Sequence, residues 1–196
     1  MKLLNSISAT SLICLLARHK FASAFTPKLL STRTTLFSTT PSMTKTAIKS
    51  VAEEVDPGEV EGTDLRVLKY PHPSLREVNA EITEEELKSG EIKKIAKEMF
   101  LVMYATQGVG LAAPQVGINK RLMVYNPTGD KTKWLDEVIM VNPKIVEFSE
   151  AKDVEQEGCL SFPGMGGDVE RSKWIKVEAQ KLNGKKMKKK FKVSRN

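Results

Sequence analysis

Histidine is almost missing from this chain: in 196 residues only His19 and His72 occur. Neither stands in an i, i+4 pair with a Glu between, so the sequence holds no His-Glu-x-x-His helix of the kind that binds zinc. His72 lies between Pro71 and Pro73, where the backbone is restrained to extended or turn shapes, and it reads as a structural loop residue. Cysteine is as scarce, with Cys14 and Cys159 alone. Long apolar runs are lacking too. The run Ile13 to Ala17 is far short of the roughly twenty residues a spanning helix needs, so no membrane anchor is expected. Acidic residues are missing from both ends: residues 1–50 carry seven Lys or Arg, residues 181–196 carry eight, and neither stretch has an acid. The formal charge of +7 therefore belongs to the ends, since residues 51–180 hold 16 basic against 24 acidic side chains. No internal repeat is evident.

The acid-free N-terminus reads as address information. Residues 1–24 are signal-like: Lys2 gives a short positive region, the apolar run follows, and Ala22-Ser23-Ala24 supplies small residues at the spacing of a cleavage site. Residues 25–50 change composition, with twelve Ser or Thr among 26 residues, which is transit-peptide-like. The two in series, joined at Phe25, resemble the bipartite presequences of algae whose plastids have extra envelope membranes. The implied address is the plastid (chloroplast) stroma, with the mitochondrion as the alternative. Removal of the presequence takes Cys14 with it and leaves Cys159, so no intrachain disulfide is expected.

Residues 51–64 contain six acids with Pro57, Gly58 and Gly62 and read as a solvated linker. One globular domain is expected over residues 65–196. Leu65 to Leu68 reads as a short strand ended by Pro71-His72-Pro73. Between Glu91 and Gln107 the residues Ile92, Ile95, Ala96, Met99, Phe100 and Met103 recur at steps of three and four, which predicts a helix with one core-facing stripe, halted by Gly108 and Gly110. Leu122 to Tyr125 and Val138 to Val141 read as strands, each followed by Asn-Pro. Ile175, Val177 and Ala179 alternate with polar residues up to Asn183-Gly184, a strong hairpin signal, and the returning strand sets Met187, Phe191 and Val193 against Lys186, Lys188, Lys190 and Lys192. Turns of this kind favour antiparallel pairing and an α+β fold.

Two glycine-bearing segments stand out from this background: Gly108-Val109-Gly110-Leu111-Ala112-Ala113-Pro114-Gln115 and Glu157-Gly158-Cys159-Leu160-Ser161-Phe162-Pro163. In this order, with Cys159 standing 44 positions after Gln115, they resemble the first two motifs of the peptide deformylases, metal-dependent hydrolases that remove the formyl group from new N-termini. The resemblance covers roughly residues 65–196. It implies antiparallel sheets packed with helices, and a domain that lacks the C-terminal metal-binding core helix, whose loss would leave apolar strand faces without a partner.

By the same resemblance, Cys159 is a thiolate ligand to one divalent metal, Fe(II) or Zn(II). The Gln115 side-chain amide and the Leu160 N–H are donors to the formyl oxygen. Val109, Gly110 and Gly158 line the path of an extended formyl-methionyl peptide, with Val109 beside the methionine side chain. The implied substrates are nascent chains in an organelle, with brief proximity to the ribosome. One thiolate falls short of the three protein ligands of an open catalytic metal site, and the proton-transferring Glu of the third motif is absent as well. The sequence is accordingly read as an incomplete copy of a functional deformylase, with a degenerate paralogue as the runner-up.

Three other functions compete. A non-catalytic relative could keep the groove and bind peptides. The basic stretch Lys181 to Arg195 suits a nucleic acid, but its alternation with Met187, Phe191 and Val193 reads as a solvated lysine face that blocks edge pairing, and no specific nucleic acid is expected. A cysteine hydrolase built on Cys159 lacks a histidine in a motif that could activate the thiol.

Overall fold

The computed structural model of the chain describes residues 59–192; the two leader segments, most of the linker and Val193 lie outside them. The described part is α+β, with two α-helices, two antiparallel sheets and three short 3-10 turns. Helix α1 (Glu84–Ser89) opens with a reciprocal cap: the Glu86 N–H donates to Thr83 Oγ1 and the Thr83 N–H donates to Glu86 Oε2. Gly90, at φ 83°, ends it in the left-handed region that glycine enters without strain and turns the chain directly into α2 (Glu91–Ala105).

The predicted stripe on α2 faces the core: Ile92, Ala96, Met99, Phe100 and Met103 are buried, joined by Val102. Each of these side chains except Ala96 contributes roughly 1.5–3 kcal/mol by leaving water. The glycines do not halt the helix alone. Gln107 at φ 55° takes the left-handed position first, and the Gly108 N–H then donates to the Met103 carbonyl at 2.8 Å.

The larger sheet has the order β1 (Gly110–Ala112), β2 (Leu122–Tyr125), β3 (Val138–Phe148), β6 (Trp174–Gln180) and β7 (Lys186–Lys192), all antiparallel. The second sheet is one long hairpin, β4 (Lys152–Cys159) with β5 (Phe162–Ser172). The expected break at Asn142-Pro143 is a bulge within β3. Asn142 adopts φ 49° and the register with β6 shifts there, so the strand bends and continues to Phe148. The expected strand at Leu65–Leu68 is instead irregular backbone: the Leu65 N–H donates to Thr63 Oγ1 and the Leu68 N–H to the Gln115 carbonyl, not to a neighbouring strand.

The large sheet has two apolar faces. On one, Leu111, Leu122, Val124 and Val141 pack against α2. The other carries Ala112, Met123, Tyr125, Met140, Ile175, Val177 and Ala179, with Met187 and Phe191 half-buried at its edge. On this second face Met123 and Met140 are 0% exposed. The sheet curls. By register Tyr125 on β2 stands opposite Val138, and Phe191 on β7 stands, through Ile175, level with Phe148, so a flat sheet would hold them at opposite ends of β3, on the order of 30 Å or more apart. Their rings nevertheless meet edge to face with centroids 6.3 Å apart, so the face is concave and closes partly on itself.

Candidate functional site

The two glycine-bearing segments meet, although they are far apart in the chain. After α2, Gly108 passes so close to the second segment that a Cβ on it would lie 2.9 Å from Leu160 Cδ1 and would displace the end of that side chain. Val109 follows, held by its carbonyl, which accepts from the Asn126 N–H at 2.9 Å. Gly129, with φ 62°, borders it so closely that a Cβ there would stand 3.2 Å from Val109 Cγ1. Strand β1, with Gly110 buried at its start, is an edge strand bonded to β2 on one side.

The 3-10 turn Ala113–Val116 then carries Gln115 inward until it is 1% exposed. Its amide is oriented by two partners. Oε1 accepts from the Ala112 N–H at 3.0 Å, so Nε2 is the donor end, and Nε2 donates to Ser161 Oγ at 3.3 Å. A primary amide nitrogen has two hydrogens, and Ser161 takes one.

The second segment is the tip of the β4–β5 hairpin. Cys159 pairs with Phe162 after a register shift at Gly158, which makes Leu160-Ser161 the turn. Leu160 leans on the α2 side of the core and Ser161 is 1% exposed. Gly158 is exposed, and a Cβ there would meet nothing within 4 Å, so no described neighbour requires glycine at that position. Below the tip, Arg171 grips Glu157 with two parallel bonds, Nε at 3.2 Å and the terminal nitrogen at 3.1 Å.

A strap over residues 68–70 joins the two segments. The Leu68 N–H donates to the Gln115 carbonyl at 2.7 Å and the Tyr70 N–H donates to the Ser161 carbonyl at 2.8 Å. Lys69 Nζ donates to the Leu160 carbonyl at 2.9 Å, and Tyr70 stacks on Phe162 with centroids 4.9 Å apart. These strap residues and Ser161 are the parts of the site that residue patterns did not single out. Ser161 at least lay inside a motif; the strap gave no signal, because its role is to contact loops 47 to 92 positions away.

Behind Val109, the loop after β2 is anchored by Tyr104. Its hydroxyl donates to Glu137 at 2.8 Å and accepts from Asn126 Nδ2 at 2.8 Å, and Asn126 is fully buried. Burial, then the Glu137 carboxylate, push the Tyr104 phenol up to about 12 against the contrary pull of the Asn126 bond.

Cys159 is partly exposed and is the one cysteine among the described residues. His72 is exposed, and its Nδ1 accepts from the Ser74 N–H at 3.3 Å, capping the turn Pro73–Arg76. Among the described residues no three His, Cys, Asp or Glu side chains converge. A single thiolate does not fit an open metal site, which needs three protein ligands.

The α+β body thus brings together two loops, one carrying an oriented buried amide and the other Cys-Leu-Ser. Residues 64–194 match the polypeptide deformylase family, and the chain belongs to that family. It is 43% identical over 120 residues to the chloroplastic peptide deformylase 1B of Solanum lycopersicum, covering 61% of this chain and 42% of that protein. It is 42% identical over 122 residues to the chloroplastic/mitochondrial peptide deformylase 1B of Arabidopsis thaliana, covering 62% and 43%. The chain thus spans less than half the length of these plant relatives. Among solved structures, the peptide deformylase of Plasmodium falciparum superposes with a TM-score of 0.61 at 42% identity, over 65% of this chain and 72% of that one. A class I type b deformylase of Acinetobacter baumannii gives 0.60 at 36%, over 65% and 83%.

Proposed function

We propose that the chain is the substrate-recognising part of an organellar peptide deformylase, acting on the N-formyl group of formyl-methionyl nascent chains. The observation that carries this reading is the buried Gln115 amide, fixed by Ala112 and Ser161 with its donor end toward the Cys159–Leu160 tip. In the proposal, Gln115 Nε2 and the Leu160 N–H donate to the formyl oxygen from two sides. Donors set in advance cost no reorganisation as the carbon becomes tetrahedral, which is the source of oxyanion stabilisation. The peptide adds as an extended strand beside Gly110 and Gly158, and Val109 meets the methionine side chain.

Deformylases are metal-dependent. A divalent ion, Fe(II) or Zn(II), would polarise the carbonyl. Cys159 offers it one ligand, so no step is drawn through it. That shortage is also what favours the second reading, a non-catalytic relative that binds formyl-peptides. The leader 1–50, the linker 51–64 and a domain from 65 are kept in the proposal, supported by the family match beginning at residue 64. Plant relatives named chloroplastic support an organellar address, with the plastid stroma preferred, and nascent-chain substrates bring the protein briefly near ribosomes.

The test is calorimetric titration with formyl-Met-Ala-Ser and its unformylated twin, run beside an assay for released formate. The formylated peptide should bind at least tenfold more tightly. Equal binding of the two defeats the recognition reading. Formate release at ordinary enzymatic rates decides for the hydrolase, and binding without release decides for the peptide-binding relative. For the address, a fluorescent reporter fused after Ser50 should enter the plastid, and retention in the cytosol rejects it.

A further inference from the structure

The outer face of the last hairpin carries charge largely of one sign. Lys186, Lys188, Lys190 and Lys192 alternate with Met187, Lys189 and Phe191, so these four stand on the side of β7 away from the concave apolar face, and Lys189 stands on the other side with Met187 and Phe191. Their cross-strand partners are Gln180, Glu178, Lys176 and Trp174, and on β3 Lys144 and Glu147 lie opposite Glu178 and Lys176. Six lysines against two glutamates leave the face at +4. Lys188 donates to Glu178 at 2.8 Å and Lys176 is paired with Glu147. Lys144, Lys186, Lys190 and Lys192 have no carboxylate partner among the described residues.

Solubility alone does not require such a pattern. Helices α1 and α2 expose comparable numbers of lysines, yet they interleave them with acids, as in Lys88 with Glu84 and Lys94 with Glu98. Like charges directly opposite across a sheet, such as Lys176 and Lys190, are destabilising. On one side of a strand, successive residues stand about 6.7 Å apart, so four ammonium groups form a row roughly 20 Å long. At the end of the row Lys190 Nζ lies 3.7 Å over the Trp174 ring. A lysine that leaves the indole for a phosphate uncovers a ring face on which a base can stack.

We infer that this face binds single-stranded RNA through its phosphate backbone, without sequence preference. A linear row of cations with one aromatic fits a linear polyanion. Trp174 alone gives it little apolar surface to enter a lipid layer. The choice of RNA rests on the reading above, in which the substrates emerge from an RNA-rich particle. The assay itself involves no formyl-peptide, so either idea can fail alone.

The experiment uses the full chain and a fluorescein-labelled, mixed-sequence RNA of about 20 nucleotides, with anisotropy read across a salt series. Because residues 1–50 are also basic, two charge-matched variants are compared. One carries Lys186→Gln, Lys188→Gln, Lys190→Gln and Lys192→Gln, and the other Lys88→Gln, Lys93→Gln, Lys94→Gln and Lys97→Gln. The hairpin variant should bind at least tenfold more weakly at 0.1 M salt and flatten the log–log salt slope by about 2.8, or ~0.7 for each ammonium group. The helix variant should change affinity less than twofold. Acetylation of the unaltered chain, mapped by mass spectrometry with and without RNA, gives the same answer if the hairpin variant misfolds: RNA should shield Lys186, Lys188, Lys190 and Lys192 more than Lys189, which lies on the other side of the strand. Equal losses in both variants, no shielding, or tighter lysine-dependent binding to phosphatidylserine vesicles than to RNA overturns the inference.

Discussion

A fully buried primary amide must place every polar atom, and Gln115 does so with a backbone N–H on one side and a serine hydroxyl on the other. Gln115→Ala should therefore abolish the preference for the formylated peptide. In any metal-competent form it should slow turnover by about a hundredfold or more, the scale for losing one oxyanion donor. Ser161→Ala should cost about 1 kcal/mol of stability in a urea melt and weaken formyl-peptide binding severalfold, because the amide can then rotate. Tyr104 makes a different prediction. Its phenol titrates near 12 in the fold and near 10 in the unfolded chain, so its contribution is intact below pH 10 and is lost as pH rises toward 12. Tyr104→Phe should flatten the alkaline limb of the stability curve over that window; an unchanged limb removes Tyr104 as its cause.

Among the elements, the hairpin β4–β5 decides where the second loop points, and the Arg171–Glu157 fork braces it. Arg171→Ala should cost on the order of 1–3 kcal/mol and raise amide exchange in residues 152–172 before the rest of the sheet opens. Uniform exchange across both sheets refutes a local brace. The same hairpin was illegible in the sequence. Its strands are mostly exposed and hold few apolar residues, so no period of two marks them. Helix α1 was missed for a related reason, since none of its six residues is buried. By contrast α2, β2 and the β6–β7 hairpin were plain because each turns a regular apolar stripe to the core. The loops of the site were legible through unusual glycine placement and their family likeness. The strap at 68–70 was not, since its hydrogen bonds, two from backbone N–H groups and one from Lys69 Nζ, all meet backbone carbonyls of distant chain.

For the whole molecule, the decisive feature is the curled sheet, with Tyr125 and Phe191 meeting across three strand spacings. Closure of that kind predicts a cooperative melt and little binding of a hydrophobic dye by the full chain. Phe191→Ala should open the concave face, raise dye fluorescence several-fold and lower the melting temperature by several degrees. Strong dye binding by the unaltered chain contradicts the closed face.

The odd-even division of β7 also bears on how the gene can vary. Alternate codons write two unrelated properties on one strand, apolar closure through Met187 and Phe191 on one side, with Lys189 between them, and a cationic row on the other. Insertion of a single codon between Gly184 and Met187 would exchange the two sides at once, turning lysines inward and Met187 and Phe191 outward. Insertion of two codons would keep both. Length variation in this hairpin should therefore be inherited in steps of two residues, and a single-residue insertion library should be depleted of soluble protein at these positions.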